Sequence, residues 1–450
     1  MVLREDTMPE NIIDTTIPVL GESKILSPIL TSGRYGHLQC FVTDRQRVLI
    51  DVNPEHIHHL LDRGLEIPAF ELAGAREKIY FDPGKLRCAL VTCGGLCPGL
   101  NDIIRAIVLE LSFGYGVRHI YGIRYGLQGL IPKFDHDLME LTPTAVADIH
   151  KSGGSVLGSS RGPQPIEEIV DSLERLNTGT LFMIGGGGTL MAANKIAEAV
   201  DRRGLKISIV GIPKTIDNDI YLISRSFGFD TAVDVATMAI RGAHNEAVGY
   251  PNGIGLIKLM GRHSGFIAAT AALARQDVNF VLIPEVDFDL EGPGGFLAAL
   301  KSRLDHRKHA VIIAAEGAGQ KFFKSTPSMR DNSGNIRLQD IGLFLKNTIT
   351  TYFQDAGIPI SLKYIDPSYM IRSLPANAND NVFCSFLGRD AVHAAMTGRT
   401  KFIIGYWNDQ FVHVPMDASV GKCRRIDPFG KLWLSVLEAT GQGPLIHSES

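Results

Sequence analysis

Short apolar segments rich in β-branched residues, each followed by a glycine-rich or polar turn, recur along residues 86–315. Helical segments separate most of them, and this alternation predicts an α/β fold with mainly parallel sheets. The predicted strands lie at residues 88–92, 119–123, 180–184, 207–210, 254–259, 280–283 and 310–315. Ligands of open α/β sheets bind beyond the carboxyl ends of the strands, so functional residues are expected in the turns that follow them.

The turn after residues 207–210 carries the strongest functional signal. It reads G-I-P-K-T-I-D-N-D-I and places Asp217 and Asp219 two residues apart, with Lys214 and Thr215 beside them. Asp217 could act as a general base, and Asp219 could help to hold a cation. The alternative is a polar turn in which Asp217 and Asn218 bond their own backbone.

Four consecutive glycines, residues 185–188, form the second signal, at the junction of a predicted strand and a helix. Such a run is costly in backbone entropy, and close approach of a ligand to the main chain would explain it. Residues 92–101 pass through Gly95 from a strand to a helix predicted at residues 102–113. At such a turn, unpaired N–H groups and the helix dipole can attract an anion. Their spacing matches neither standard nucleotide-binding fingerprint.

Polar residues at other predicted turns complete the set of candidates. Residues 152–162 form a small-residue loop containing Arg161, which could neutralise phosphate charge, although a flexible surface loop is the alternative. Arg262 and Glu316 follow two later strands and are site candidates. Glu285 follows a third strand and is more typical of a structural cap.

The composition excludes several classes of function. The formal net charge is −3 over 450 residues, and no basic stripe indicates nucleic-acid binding. Six scattered cysteines do not make a disulfide scaffold, and Cys93 and Cys97 are predicted to be buried thiols rather than zinc ligands. No apolar run is long enough to span a membrane, and the N-terminus lacks the apolar core of a signal peptide, so we expect a cytoplasmic protein.

Five motifs, in this order along the chain, resemble those of the 6-phosphofructokinase family. They are G-G-L-C-P-G-L-N (residues 94–101), G-G-G-G-T (185–189), P-K-T-I-D-N-D (213–219), M-G-R (260–262) and Y-M-I-R (369–372). The correspondence covers about residues 75–390 and is closest to the long branch found in plants, trypanosomatids and some bacteria. One such motif would be weak, but five in order are highly specific.

The resemblance implies two Rossmann-like three-layer α/β domains with the active site in the cleft between them, preceded by an N-terminal extension. The extension would cover residues 1–84, the ATP-binding domain residues 85–228 and about 371–420, and the fructose 6-phosphate-binding domain residues 229–370 and about 421–450. A homotetrameric, allosteric enzyme of glycolysis is implied, with ATP and Mg²⁺, that phosphorylates the 1-hydroxyl of fructose 6-phosphate. Such a reaction needs mostly positioning and neutralisation of negative charge.

The resemblance also assigns roles to individual residues. Asp217 would accept the hydroxyl proton and, with Thr215, contact the sugar, while Lys214 and Thr215 would face the transferred phosphoryl group. The other residues around the sugar phosphate would be Met260, Gly261, Arg262, Glu316, Lys363, Tyr369 and Arg372. The donor phosphates would be held by Gly95, Arg161, Gly162, Gly186, Gly187, Gly188 and Thr189.

Three features depart from the family pattern. Gly187 replaces an Asp that helps to hold Mg²⁺, which leaves Asp219 as the metal candidate beside Asp217. Gly253 stands where short bacterial members carry an Arg that reaches the substrate phosphate of a neighbouring subunit. The last four residues, H-S-E-S, differ from the Ser-Lys-Leu address of trypanosomatid members, which favours the cytoplasm.

Three functions remain open from the sequence. Gly188 favours an ATP-dependent kinase, because glycine leaves room for the α-phosphate where pyrophosphate users of the family carry Asp. A pyrophosphate-dependent enzyme is the alternative. A catalytically weak regulatory or sugar-phosphate-binding subunit is suggested by Gly187, although the intact Asp217 argues against it.

Overall fold

The computed structural model describes residues 13–31, 41–323 and 337–446. Its strands are β1 (Ile25–Leu26), β2 (Arg47–Leu49), β3 (Ala69–Leu72), β4 (Lys78–Ile79), β5 (Arg87–Thr92), β6 (His119–Ile123), β7 (Leu138–Glu140), β8 (Thr180–Gly185), β9 (Ser208–Pro213), β10 (Gly253–Leu259), β11 (Phe280–Leu282), β12 (His309–Ala315), β13 (Ser361–Ile365), β14 (Phe402–Trp407) and β15 (Gln410–Pro415). Its α-helices are α1 (Pro28–Thr31), α2 (Pro54–Asp62), α3 (Leu100–Leu109), α4 (Ile166–Arg175), α5 (Gly187–Arg202), α6 (Phe229–Val248), α7 (Phe266–Arg275), α8 (Phe296–Arg307), α9 (Ile341–Asp355), α10 (Ser368–Ser373), α11 (Ala378–Met396), α12 (Met416–Ser419) and α13 (Lys431–Thr440). Parts of the predicted N-terminal extension, including Cys40, and the last four residues lie outside the described ranges.

The larger sheet has nine strands in the order β2-β3-β15-β14-β9-β8-β5-β6-β7. Its five central strands, from β14 to β6, run parallel, and antiparallel strands flank them on both sides. Alternate residues of the central strands face opposite helical layers. On β5, Cys88 and Leu90 pack with α3 and α11, whereas Ala89 and Val91 pack with α4 and α5. Covering on both faces explains why these strands are continuous apolar runs in the sequence.

The smaller sheet has four parallel strands in the order β11-β12-β10-β13. One face packs against α8 and α9, and the other faces α6 and α7. Helix α6 carries the chain into this sheet, α11 packs against α3 and β9 of the larger sheet, and α13 packs against α7 and β11. The predicted α/β class with mainly parallel sheets is confirmed.

The first predicted helix, residues 102–113, differs from the structure at both ends. Helix α3 begins at Leu100, directly after Gly99, whose φ of 97° is the left-handed conformation that glycine adopts readily. A π-helical turn, Glu110–Tyr115, continues it as far as the left-handed Gly116. A capping glycine at each end therefore sets its length.

Sequence patterns did not locate the strands that extend the larger sheet. The hairpin β14–β15 pairs with β9, and β3 of the N-terminal extension pairs with β15. Buried Arg399 binds Glu71 of β3 at 2.7 Å, so this part of the extension belongs to the sheet. Within the described residues, no helix combines the length and apolarity needed to cross a membrane.

Candidate active site

The loop after β9, residues 214–220 and here called the catalytic loop, holds the two predicted carboxylates. The hydroxyl of Thr215 accepts the N–H of Asp217 at 3.1 Å and donates to Asp219 Oδ1 at 3.0 Å. Local bonding of the turn therefore relies on Thr215 rather than on the carboxylate of Asp217. That carboxylate is left to face the second sheet.

Asp217 is bonded to the loop that follows β10. The backbone N–H of Arg262 donates to its carboxylate, and Ser264 Oγ donates to its backbone oxygen at 3.1 Å. Its Oδ1 atom is buried and has no hydrogen-bond partner in the described part of the chain. The carboxyl ends of the two sheets thus meet at Asp217.

The surroundings of Asp217 favour its protonated form. Burial raises the pKa of this carboxyl well above its usual range, and the nearby carboxylates of Asp219 and Glu316 act in the same direction. The N–H of Arg262 and the charge of Arg372 oppose the rise without cancelling it. A carboxylate that binds a proton readily is suited to act as a general base.

Lys214 lies below the surface, only 6% exposed, and its Nζ donates to the carbonyl oxygen of Gly95. Burial lowers the pKa of Lys214 to about 8, and the charges of Arg372 and Arg161 act in the same direction. The catalytic loop and the turn after β5 are therefore joined by this lysine.

Two arginines converge on the same turn. A Cβ atom at Gly95 would overlap Nη2 of Arg372 and lie 3.4 Å from Nη2 of Arg161, so a side chain there would displace the Arg372 guanidinium. Arg372 Nε is buried without a hydrogen-bond partner among the described residues. Gly162, with φ of 94°, lets the chain turn directly after Arg161. Cationic groups gathered in this way form a site for an anion such as phosphate.

The four glycines at the start of α5 differ in what a side chain at each position would contact. A Cβ at Gly185 would overlap the side chain of Thr189, and one at Gly186 would lie 3.3 Å from a backbone oxygen of the catalytic loop. Gly187 and Gly188 face open space, with nothing within 4 Å of a Cβ and no positive φ. Gly186 supplies no side-chain cap, so the first N–H groups of α5 are available to an anion.

Predicted sugar-binding residues line the edge of the smaller sheet. Met260 and Gly261 follow β10, and Gly317 N–H, next to Glu316 after β12, donates to the Gly261 carbonyl at 3.0 Å. Gly261 has φ of 131°, and a Cβ there would meet the carbonyl oxygen of Ser264. Burial raises the pKa of Glu316, although the neighbouring charges of Arg262 and Arg372 act against it.

Lys363 does not lie with the other predicted residues. It pairs with Gly255 on the edge strand β13, four residues or about 13 Å before the carboxyl end of β10. Its Nζ lies over the ring of Tyr250, 5.3 Å from the centroid. Gly253 is at the start of β10, where a Cβ would overlap the carbonyl oxygen of Ala247.

Tyr369 shares the short helix α10 with Arg372 but is largely exposed. Tyr369 is 80% exposed, and the next residue, Met370, is 67% exposed. The sugar-binding roles of Lys363 and Tyr369 therefore stay predictions.

Comparison with known proteins assigns the fold and its loops to a family. The sequence model of a family described as Phosphofructokinase matches residues 87–395, which is well over half of the chain. The chain belongs to the phosphofructokinase family. An ATP-dependent 6-phosphofructokinase of Borreliella burgdorferi is 49% identical over 96% of this chain and 97% of its own length. The enzyme of the same name from Trypanosoma cruzi is 41% identical over 98% of this chain and 90% of its own length.

Solved structures of phosphofructokinases share the fold. A pyrophosphate-dependent phosphofructokinase from Marinobacter aquaeolei superposes with a TM-score of 0.65 at 20% identity, covering 80% of this chain and 92% of that chain. Phosphofructokinase from Saccharomyces cerevisiae gives a TM-score of 0.59, also at 20% identity, covering 74% of this chain and 44% of that chain. Identities this low support the fold alone.

In this phosphofructokinase-family chain, the nearby carboxylates could hold Mg²⁺ only together with the phosphates of a bound substrate. No group of three or more His, Cys, Asp or Glu side chains in the described ranges could hold a metal. Asp217 and Asp219 remain, and Oδ1 of Asp217 is unpartnered. Mg²⁺ commonly takes one or two carboxylates together with substrate phosphates and water, and this pair suits that arrangement.

Sequence reasoning missed residues of this phosphofructokinase site that act through the backbone. Ser264 and Arg424 bond main-chain oxygens of the catalytic loop, and Glu285 joins Gly265 N–H to Ile426 N–H at 3.0 and 2.9 Å. Glu285 is structural, as predicted, but it joins two distant segments instead of capping its own turn. The polar residues after Gly261 offered a signal for Ser264, whereas no local pattern marks Arg424.

Proposed function

We infer that the chain is an ATP-dependent 6-phosphofructokinase, which transfers the γ-phosphoryl group of ATP to the 1-hydroxyl of D-fructose 6-phosphate. The products are fructose 1,6-bisphosphate and ADP. The observation that carries this conclusion is the buried, unpartnered Oδ1 of Asp217, which lies where a cationic turn and the wall of the smaller sheet meet. Relatives at 41–49% identity over most of the chain carry the same activity in their names.

In this proposal Asp217 accepts the proton of the 1-hydroxyl as the hydroxyl oxygen attacks the γ-phosphorus. Lys214 and Thr215 face the transferred group. Lys214 is held in place by its bond to Gly95, and its charge offsets that of the phosphoryl oxygens. The donor phosphates occupy the turn of Gly95, Arg161 and Gly162 and the start of α5 at Gly186, Gly187, Gly188 and Thr189.

The sugar lies against the edge of the smaller sheet. Met260, Gly261 and Glu316 contact the ring, and Arg262 and Arg372 bind its phosphate. Asp219 would hold Mg²⁺ together with the ATP phosphates and water. When bound, the cation neutralises part of the charge on those phosphates.

Gly188 supports ATP over pyrophosphate as the donor. It faces open space at the start of α5, so the structure leaves room there for an α-phosphate. Gly187 faces open space as well. Because residue 187 supplies no carboxylate for Mg²⁺, a catalytically weak regulatory or sugar-phosphate-binding subunit remains the alternative function.

One assay separates the three functions. Formation of fructose 1,6-bisphosphate is measured with ATP and with pyrophosphate, each with and without Mg²⁺. Turnover that requires ATP and Mg²⁺ supports the proposal. Turnover with pyrophosphate alone, or binding of fructose 6-phosphate without turnover, contradicts it in favour of the second or third function.

A homotetramer is proposed with the same activity. Tyr369 and Met370 are large exposed side chains beside Arg372, as expected of a surface that a second copy covers. Lys363 lies outside the cleft of its own subunit, so its predicted contact with the sugar phosphate would be made in a neighbouring copy. Sedimentation analysis tests the assembly, and a monomer with full activity would contradict it.

A further inference from the structure

A short segment between α12 and α13, residues 423–426 and here called the strap, runs along the catalytic loop. Cys423 forms an isolated antiparallel bridge with Ile220, and the N–H of Arg424 donates to the backbone oxygen of Asp219 at 2.7 Å. The strap lies more than 200 residues further along the chain than the loop it contacts. Its backbone therefore fixes the carboxyl end of the catalytic loop.

The side chain of Arg424 also forms hydrogen bonds with the backbone of this loop. Its Nη1 donates to the backbone oxygen of Ser224 at 2.9 Å and to that of Asn218 at 3.4 Å. Its guanidinium lies over the ring of Phe266 on α7, 4.5 Å from the centroid, which limits its movement. Together with its N–H, Arg424 holds three carbonyl groups in and just after the catalytic loop.

The orientation of the Asn218 carbonyl affects how the two carboxylates on either side of it are oriented. Asn218 stands between Asp217 and Asp219 and adopts φ of 53°, a left-handed conformation that is uncommon for a residue with a side chain. Its side chain accepts the N–H of Ser226 at 2.9 Å. Rotation of the peptide after Asn218 would turn Asp219 relative to Asp217, and the bonds of Arg424 oppose this rotation.

The strap is anchored on the smaller sheet as well. The N–H of Ile426 donates to Glu285 Oε1 at 2.9 Å, and the same oxygen accepts the N–H of Gly265 at 3.0 Å. Gly265 directly precedes α7, on which Phe266 supports Arg424. The position of the catalytic loop is therefore tied to the sheet that carries the predicted sugar-binding residues.

We propose that Arg424 is a positioning residue of the phosphoryl-transfer site, which sets the orientation of the Asp217 and Asp219 carboxylates by holding the backbone between and after them. The proposal rests on the proposed kinase activity. Arg424 contacts main-chain oxygens of the loop, and its effect is exerted through that backbone. A misplacement of about 1 Å in a catalytic group can cost about 10²-fold in rate.

The test compares Arg424→Ala and Arg424→Lys with Arg303→Ala. Arg303 Nε donates to the backbone oxygen of His309 at 3.3 Å, at the start of β12 and far from the cleft, so its loss removes a similar bond without touching the loop. We expect Arg424→Ala to lower kcat by about 10²-fold, to raise the Mg²⁺ concentration needed for half-maximal rate, and to leave KM for fructose 6-phosphate nearly unchanged. Arg424→Lys should recover part of kcat, and Arg303→Ala should keep all of it.

Amide hydrogen exchange provides a readout that does not depend on activity. Faster exchange of residues 214–220 in folded Arg424→Ala, with no change in Arg303→Ala, supports the proposal even if the wild type uses another phosphoryl donor. A wild type without kinase activity would overturn the proposed function alone. Unchanged exchange of this segment, or equal losses of kcat in Arg424→Ala and Arg303→Ala, would overturn the role of Arg424.

Discussion

The carboxylate of Asp217, carried by the larger sheet, accepts the backbone N–H of Arg262, carried by the smaller sheet. This bond joins the two halves of the cleft at the group proposed to take the substrate proton. A relative shift of the sheets would therefore change both the position and the proton affinity of the base.

Asp217→Asn should abolish the base while keeping the shape of the site. We expect kcat to fall by about 10²–10⁴-fold, the usual loss for a general base, with little change in the binding of fructose 6-phosphate. Steady-state kinetics and calorimetric titration measure the two quantities. Turnover close to that of the wild type would show that another group accepts the proton.

The stability of the fold should depend on pH through Asp217. Its folded pKa is raised by burial and by the nearby Asp219 and Glu316 carboxylates, so its protonated form favours the folded state. That contribution is complete below about pH 4, the ordinary pKa of Asp, and is lost as the pH rises through the folded pKa. The wild type should therefore lose stability relative to Asp217→Asn between about pH 5 and about pH 8.

Urea unfolding of both proteins across this range measures the difference in the free energy of unfolding. Asp355→Asn, at the exposed end of α9, is the control for the effect of an Asp-to-Asn substitution itself. A constant difference between wild type and Asp217→Asn would mean that Asp217 titrates normally.

Gly188→Asp should reduce the use of ATP steeply and leave the use of pyrophosphate unchanged or higher. The new side chain has room in the free protein, and Asp suits the first turn of α5, so the fold should be kept. Gly188→Asn adds a side chain of nearly the same size without the charge. It therefore separates the effect of the added volume from that of the added negative charge. Intact ATP kinetics in Gly188→Asp would place residue 188 outside the donor site.

Arg372→Ala should raise KM for fructose 6-phosphate more than KM for ATP, because a charge-assisted contact to the sugar phosphate is lost. Arg372→Lys, which keeps the charge, should be less affected. The guanidinium also lies against Gly95, on the proposed donor side. Equal increases in the two KM values would place Arg372 outside the sugar-phosphate pocket.

Gly187→Asp should increase activity at limiting Mg²⁺. A missing carboxylate leaves the cation less well placed, and loss of one preorganised stabilising group costs about 10²–10³-fold. The added side chain meets no atom within 4 Å, and residue 187 has no positive φ, so the backbone accepts Asp. Gly187→Asn is the matched control. A wild type that is fast at low Mg²⁺ and gains nothing from Gly187→Asp would show that Asp219 or another ligand suffices.

The sequence by itself determined the class of fold, four of the five central strands of the larger sheet and the turns that carry the site. Those strands are buried on both faces, so each reads as a short apolar run, and each turn follows its strand directly in the chain. Asp217, Lys214 and the glycines before Thr189 could be found for this reason. The five motifs, in the same order as in the phosphofructokinase family, then indicated phosphoryl transfer.

Only the tertiary structure decided which distant segments meet. Arg372 and Arg161 converge on Gly95, Arg424 holds the catalytic loop, and Lys363 lies apart from the other predicted residues. Local periodicity carries no information about such contacts, because they depend on how helices and sheets pack across hundreds of residues. The raised proton affinity of Asp217 has the same origin, since burial and neighbouring charge arise only when the two sheets come together.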